Sequence, residues 1–91
     1  MSYKIEFSKS SQRVIAKWAK SNRNLYQKLC KILNEIVEHP REGTGHPEPL
    51  KGGKNITWSR RISGFNRIIY DIYDDVITVL VLEVEGHYDD K

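Results

Sequence analysis

Ninety-one residues support one modest hydrophobic core and not two, so a single domain over residues 1–91 is expected, its last few residues a flexible tail. The chain is 38% hydrophobic and 30% charged and holds no run of eighteen apolar residues, which excludes a transmembrane helix. Its one cysteine, Cys30, excludes an internal disulfide and argues against a structural zinc site. The net charge of +3 is mild, but its distribution is uneven: basic residues crowd Lys4–Lys31 and Lys51–Arg67, while Glu83–Lys91 carries four carboxylates and one lysine. A basic surface of this kind attracts phosphate, and it also fits an ordinary solvated lysine-rich face. No apolar leader opens the sequence, so a cytoplasmic protein is expected.

Tyr3, Ile5 and Phe7 alternate with Lys4 and Glu6, the pattern of a short strand with one buried face. Ser8, Ser10 and Ser11 offer N-cap hydroxyls for a helix over about 10–20, with Val14, Ile15, Trp18 and Ala19 on its apolar side. Ser21-Asn22 breaks it. A second helix follows over about 23–38, its stripe running through Leu25, Leu29, Ile32, Leu33 and Ile36 and widened by Tyr26, Cys30 and Val37. Cys30 is thereby a core-edge residue rather than a nucleophile. Pro40 ends the helix. From Pro40 to Pro49, three prolines and two glycines in ten residues make a stiff loop that can be neither helix nor central strand. Such a loop beside a small core is a good place to hold a functional side chain.

After the turn Gly52-Gly53-Lys54-Asn55, the alternation of Ile56, Trp58, Arg60 and Ile62 with Thr57, Ser59 and Arg61 predicts a strand. Ser63-Gly64-Phe65 turns the chain, a strand runs from Asn66 to Tyr73, and Asp74-Asp75 turns it again. Residues 76–84 form the most hydrophobic strand, expected to be central and covered on both faces. The expected class is therefore α+β: two N-terminal helices on one face of a mainly antiparallel four-stranded sheet, in the order βααβββ.

The side chains that can do chemistry are Glu48, Lys51, Arg61, Arg67, His87 and Tyr88. Cleaving RNA without a metal needs a base for the 2′-hydroxyl, cations for the phosphate and an acid for the departing 5′-oxygen. Histidine titrates near pH 6.5 and suits the acid or base. Arginine donates two parallel hydrogen bonds to phosphate, and glutamate can serve as base. Each also has a plain explanation: a solvated glutamate, an exposed histidine, a core-edge tyrosine, arginines paired with Asp71 or Asp74. A metal site from His39, His46 and His87 is rejected, because the six residues between the first two fit no helical ligand spacing.

Taken together, four motifs resemble the Txe/YoeB family of bacterial toxins. Gly43-Thr44-Gly45-His46-Pro47-Glu48-Pro49-Leu50-Lys51 resembles its Gly-x-Gly-x-Pro-Glu-Pro-Leu-Lys loop. Trp58-Ser59-Arg60-Arg61-Ile62, Asn66-Arg67-Ile68-Ile69-Tyr70 and Gly86-His87-Tyr88 resemble its strand and closing motifs, in order and at near-family spacing. The match is strong from Pro40 to Tyr88 and only architectural before that. The resemblance implies a RelE-like fold and ribosome-dependent cleavage of messenger RNA. It implies Glu48 as general base, His87 as general acid and Arg67 as stabiliser of the phosphate. Lys51 and Arg61 assist, and Tyr88 orients the substrate. It implies a cognate antitoxin, the ribosome and mRNA as partners, pairing of the free toxin with itself, no membrane, and no metal or other cofactor. The sequence departs from the family where Asn66 replaces a common histidine, where Glu83 and Glu85 replace a basic residue, and where Asp89-Asp90-Lys91 extends the end. Two alternatives stay open: a related toxin-like fold acting on another target, and a non-catalytic RNA- or ribosome-binding module.

Catalysis by two arginines requires one shared face. A three-residue turn, or a bulge that restores parity, would set Arg61 opposite Arg67 on the face away from the helices. Trp58 would then face Tyr70, and Ile56 would face Ile72, on the helix side. That register puts Arg60 on the helix side at the sheet margin, with its guanidinium reaching solvent, and Ile69 on the open face.

Overall fold

The computed structural model describes residues 2–52, 54 and 56–85. Strand β1, Lys4–Phe7, leads into helix α1, Lys9–Ser21. Ser8 starts that helix: its hydroxyl accepts from the Ser11 N–H at 3.1 Å and donates to the Leu82 carbonyl at 2.8 Å. Asn22 serves both helices, donating its N–H to Trp18 O at 2.9 Å and accepting from the Leu25 N–H at 3.3 Å. Helix α2, Arg23–Glu38, therefore begins one residue after α1 stops. Beyond the loop come β2, Glu48–Pro49; β3, Thr57–Ser63; β4, Asn66–Tyr73; a single 3-10 turn, Asp74–Val76; and β5, Thr78–Glu85.

The strands form one sheet in the order β1-β5-β4-β3-β2, with β1 parallel to β5 and the other neighbours antiparallel. Among the described residues there are thus five strands where four were expected. The additional one is the short β2, where Glu48 and Pro49 pair with Ser59 and Trp58 at the sheet edge. Proline lacks an N–H, which an edge strand tolerates and a central strand does not. Both helices cover one face, α1 over β5 and α2 over β3. Between them and the sheet lie Trp18, Leu29, Ile32 and Ile36, against Ile68, Tyr70, Ile72, Val79, Val81 and Val84.

The expectation that residues 76–84 are covered on both faces is corrected. In β5 Val79, Val81 and Val84 are buried, while Leu80 and Leu82 are half-exposed and Glu83 is exposed. A bulge shifts the register between the Tyr70–Val81 and Ile69–Glu83 pairs, so Val81 and Val84 both face the helices despite their spacing of three. The middle strand is β4, and the face away from the helices stays open.

Arg60 is the second correction. It does lie on the helix side, opposite Ile68, but its guanidinium never reaches solvent: the residue is 0% exposed. Its Nη1 pairs with Glu35 Oε1 at 3.2 Å, and its Nη2 donates to the carbonyls of His39, Pro40 and Glu42 at 3.0, 3.3 and 2.8 Å. Those carbonyls belong to the end of α2 and the chain just beyond it, where helical partners run out. No basic residue lies in the last turn of α2, so Arg60 supplies the missing donors from the neighbouring strand. Beside it, the Tyr70 hydroxyl donates to Pro40 O at 2.7 Å.

Candidate active site

The loop between α2 and β2 is pinned in three places. Glu35 Oε1 and Oε2 accept from the Thr44 N–H and hydroxyl, both at 2.8 Å. These two bonds, followed by the nearby Arg60 charge, hold the Glu35 carboxyl below the usual carboxylate range. At the start of the loop, Arg41 forms a two-pronged ion pair with Asp74 at 2.7 and 3.3 Å, and the Tyr3 hydroxyl donates to the same carboxylate at 2.6 Å. The Arg41 and Tyr3 bonds lower the Asp74 carboxyl. At the far end, the Arg61 N–H donates to Gly45 O at 2.7 Å. Glycine is needed there twice over: φ is +92°, and a Cβ would collide with the Arg61 carbonyl.

This pinning delivers Glu48 to the open face. Across the sheet, Glu48, Ser59, Ile69 and Glu83 form one row of partners, and Arg61, Arg67 and Glu85 form the next. Arg61 stands directly opposite Arg67, with a register shift before Ser63–Asn66 that supplies the expected bulge. Trp58 faces Tyr70, and the Ile72 N–H donates to Ile56 O at 2.8 Å, as the register requires. Opposite partners have Cα atoms about 5 Å apart, and successive rows on one face lie about 6.6 Å apart. Three long side chains therefore converge on one phosphate-sized space. Gly45, His46, Glu48, Ser59, Arg61 and Arg67 line a small concavity there.

Like charges directly opposite one another destabilise a sheet. Among the described residues neither Arg61 nor Arg67 forms an ion pair, and Glu48 is the one carboxylate that lines the concavity with them. The plain explanation through Asp71 or Asp74 does not hold. Asp71 accepts from the Thr57 and Tyr73 hydroxyls at 2.6 and 3.0 Å, and Asp74 is taken by Arg41 and Tyr3. Two exposed guanidinium groups thus stand beside a carboxylate on one face, and paired guanidinium groups are the donors that suit an anion. Lys51 is not part of that concavity. It lies in an adjoining hollow with Pro49, Leu50, Gly52 and Lys54. His87 and Tyr88 lie outside the described residues, and β5 is described as far as Glu85, the partner of Arg67.

Comparison with known proteins decides the family. Residues 7–88 match the model of the YoeB-like toxin of bacterial type II toxin–antitoxin systems. The chain belongs to that family. Toxin YoeB of Streptomyces coelicolor is 32% identical over 85 residues, covering 93% of this chain and 99% of that protein. Among solved structures, a YoeB/ParE toxin from Agrobacterium tumefaciens superposes with a TM-score of 0.85 at 28% identity, covering 93% of this chain and 99% of the other. The YoeB dimer from Staphylococcus aureus superposes with a TM-score of 0.83 at 25% identity, covering 97% of this chain and all of that one. A YoeB from Staphylococcus aureus in a heterotetrameric toxin–antitoxin complex with YefM superposes with a TM-score of 0.81 at 25% identity, covering 97% of this chain and all of that one. The α+β, RelE-like fold expected from the sequence is thus the observed one, with its extra edge strand.

In this YoeB-like toxin, the concavity brings together Glu48, Arg61 and Arg67 of the residues expected from the sequence and adds His46 and Ser59, which were not among them, while Arg60, expected to reach solvent, is buried behind it. Ser59 is a buried hydroxyl on the floor of the concavity, paired across the edge with Glu48. Its position opposite the proline loop was the missing information. Arg60 could have been suspected, because an alternating strand has no place for an inward-facing charge without a partner.

Proposed function

We propose that this toxin is an endoribonuclease that cuts messenger RNA on the ribosome without a metal ion. The observation that carries the reading is the convergence of Glu48 with the Arg61–Arg67 pair on one concavity. Glu48 takes the proton of a 2′-hydroxyl, and that oxygen attacks the adjacent phosphorus. Arg67, helped by Arg61, stabilises the added negative charge, so little reorganisation accompanies the reaction. The bond from phosphorus to the 5′-oxygen breaks, His87 gives that oxygen a proton, and a 2′,3′-cyclic phosphate remains. Lys51 holds the RNA backbone nearby, and Tyr88 orients the substrate. In this reading Arg61 and Arg67 supply the charge stabilisation.

The same reading makes the chain one domain, cytoplasmic, held in check by a cognate antitoxin and pairing with itself when free. The S. aureus complex with YefM and the S. aureus dimer support these partners by likeness. Among the described residues no helix is long and apolar enough to cross a membrane.

The test is a cleavage assay on ribosomes programmed with a defined message. Purified toxin is expected to leave cyclic-phosphate ends, and Glu48→Gln or His87→Ala to abolish them. Binding without cleavage by the unaltered protein would reduce it to an RNA-binding module.

A further inference from the structure

We propose that His46 is a substrate contact of this groove, its imidazole ring giving the RNA phosphate a third hydrogen-bonding side chain beside Arg61 and Arg67. The proposal rests on the groove being a phosphate site. Three observations carry it. His46 lines the same concavity as Glu48, Arg61 and Arg67. Its backbone sits in the left-handed region, at φ +53°, directly before Pro47, whose ring restricts the residue ahead of it. That conformation is imposed from both sides: Gly45 O is bonded to the Arg61 N–H, and Glu48 pairs with Ser59. A sparsely populated backbone persists where its surroundings over-determine it, and such positions cluster at functional sites. Finally, among the described residues the His46 ring makes no hydrogen bond and is exposed, so nothing in the packing asks for histidine there.

The charged groups lining the concavity with His46 are Glu48 from β2, Arg61 from β3 and Arg67 from β4. Glu35 and Arg60 are engaged with each other and with the loop on the helix side. Among the residues that line the concavity, two arginines and one carboxylate leave one net positive charge to meet a phosphate that becomes more negative as the 2′-oxygen adds. An imidazole N–H at its rim gives that phosphate a further hydrogen-bond donor.

The experiment titrates the protein with a short RNA in which every 2′-hydroxyl is methylated, so that it binds and is not cut. His87→Gln is present in every sample to silence the other imidazole assigned to the site. Binding and ring signals are followed by NMR at low salt. The His46 ring signals are expected to move with those of Arg61 and Arg67. His46→Ala should bind about two- to fivefold more weakly, the scale of an exposed polar contact, and His46→Lys should restore the unaltered affinity. Arg61 and Arg67 side-chain signals that move while the His46 ring stays still would overturn the proposal and leave the phosphate reading standing. So would a His46→Ala variant that keeps the unaltered affinity. If none of the three side chains responds at millimolar RNA, the phosphate reading falls and this proposal falls with it.

Discussion

Arg60 and Arg61 are consecutive, and pleating sends their side chains to opposite faces with opposite duties. Arg61 is exposed and lines the groove, whereas Arg60 is fully buried and answers three carbonyls and a carboxylate. Replacing Arg60 by methionine takes a charge from Glu35 and, among the described residues, leaves the Glu42 carbonyl without a donor, while Pro40 O keeps the Tyr70 hydroxyl and His39 O keeps the Glu42 N–H. An unmet buried polar group costs about 1–3 kcal/mol, so Arg60→Met should lower the urea midpoint measurably. An unchanged midpoint would show that the guanidinium holds nothing. Arg60→Lys should not rescue it, because an ammonium cannot reproduce the planar fork. Glu48 gives the contrasting case. It is exposed and makes no ion pair among the described residues, so Glu48→Gln should leave the melting curve in place. On the proposed chemistry it should still slow message cleavage by roughly 10²–10⁴, the usual worth of a proton-transfer group. Cleavage at the unaltered rate would remove Glu48 from the role of base.

At the scale of elements, the loop between α2 and β2 decides the site, and its pins predict its response to acid. The folded Glu35 carboxyl titrates below its ordinary range, chiefly through the two Thr44 bonds. Stability from this group is fully present above the unfolded pKa of about 4.3 and is lost as pH falls through the depressed folded value. The melting-temperature gap between the unaltered toxin and Glu35→Gln should be widest above about pH 5 and close toward pH 3. A gap that stays constant would mean the carboxylate is not what holds Thr44. Gly45→Ala should cost more than about 1 kcal/mol, since alanine resists φ +92° and its methyl group meets the Arg61 carbonyl. Both helices, the hairpin of β3 and β4, and the opposition of Arg61 and Arg67 were legible in the sequence, because periodicity and pleat parity are local rules. The edge pairing of Glu48 with Ser59 was not legible, because it joins a proline-rich segment to a strand across the intervening turn. Arg60 was misjudged for a related reason. A solvent exit is the default for an inward arginine, and only the wrapped loop supplies enough acceptors to keep it inside.

For the whole molecule, one core carries both helices, and Leu29 is fully buried within it. Leu29→Ala should cost about 2–5 kcal/mol, which for a domain of this size lowers the melting temperature by roughly 10 °C or more. A fall of one or two degrees would mean that the helix layer repacks freely. The sheet joins the two ends of the described chain: β1 pairs with β5, so Lys4 meets Thr78, a separation of 74 positions. The two strands are also tied through the start of α1, where Ser8 N–H bonds Val81 O at 2.9 Å and the Ser8 hydroxyl bonds Leu82 O. Pairings across so long a stretch of chain are slow to form, because the loop must close before the contacts reward it. They also set an order on synthesis. While the polypeptide is still emerging, β1 has no neighbour, α1 has no sheet beneath it, and Val79, Val81 and Val84 are not yet available to the core. The unfinished chain is therefore an unarmed one, and the fold itself delays the toxin until nearly all of it has been made.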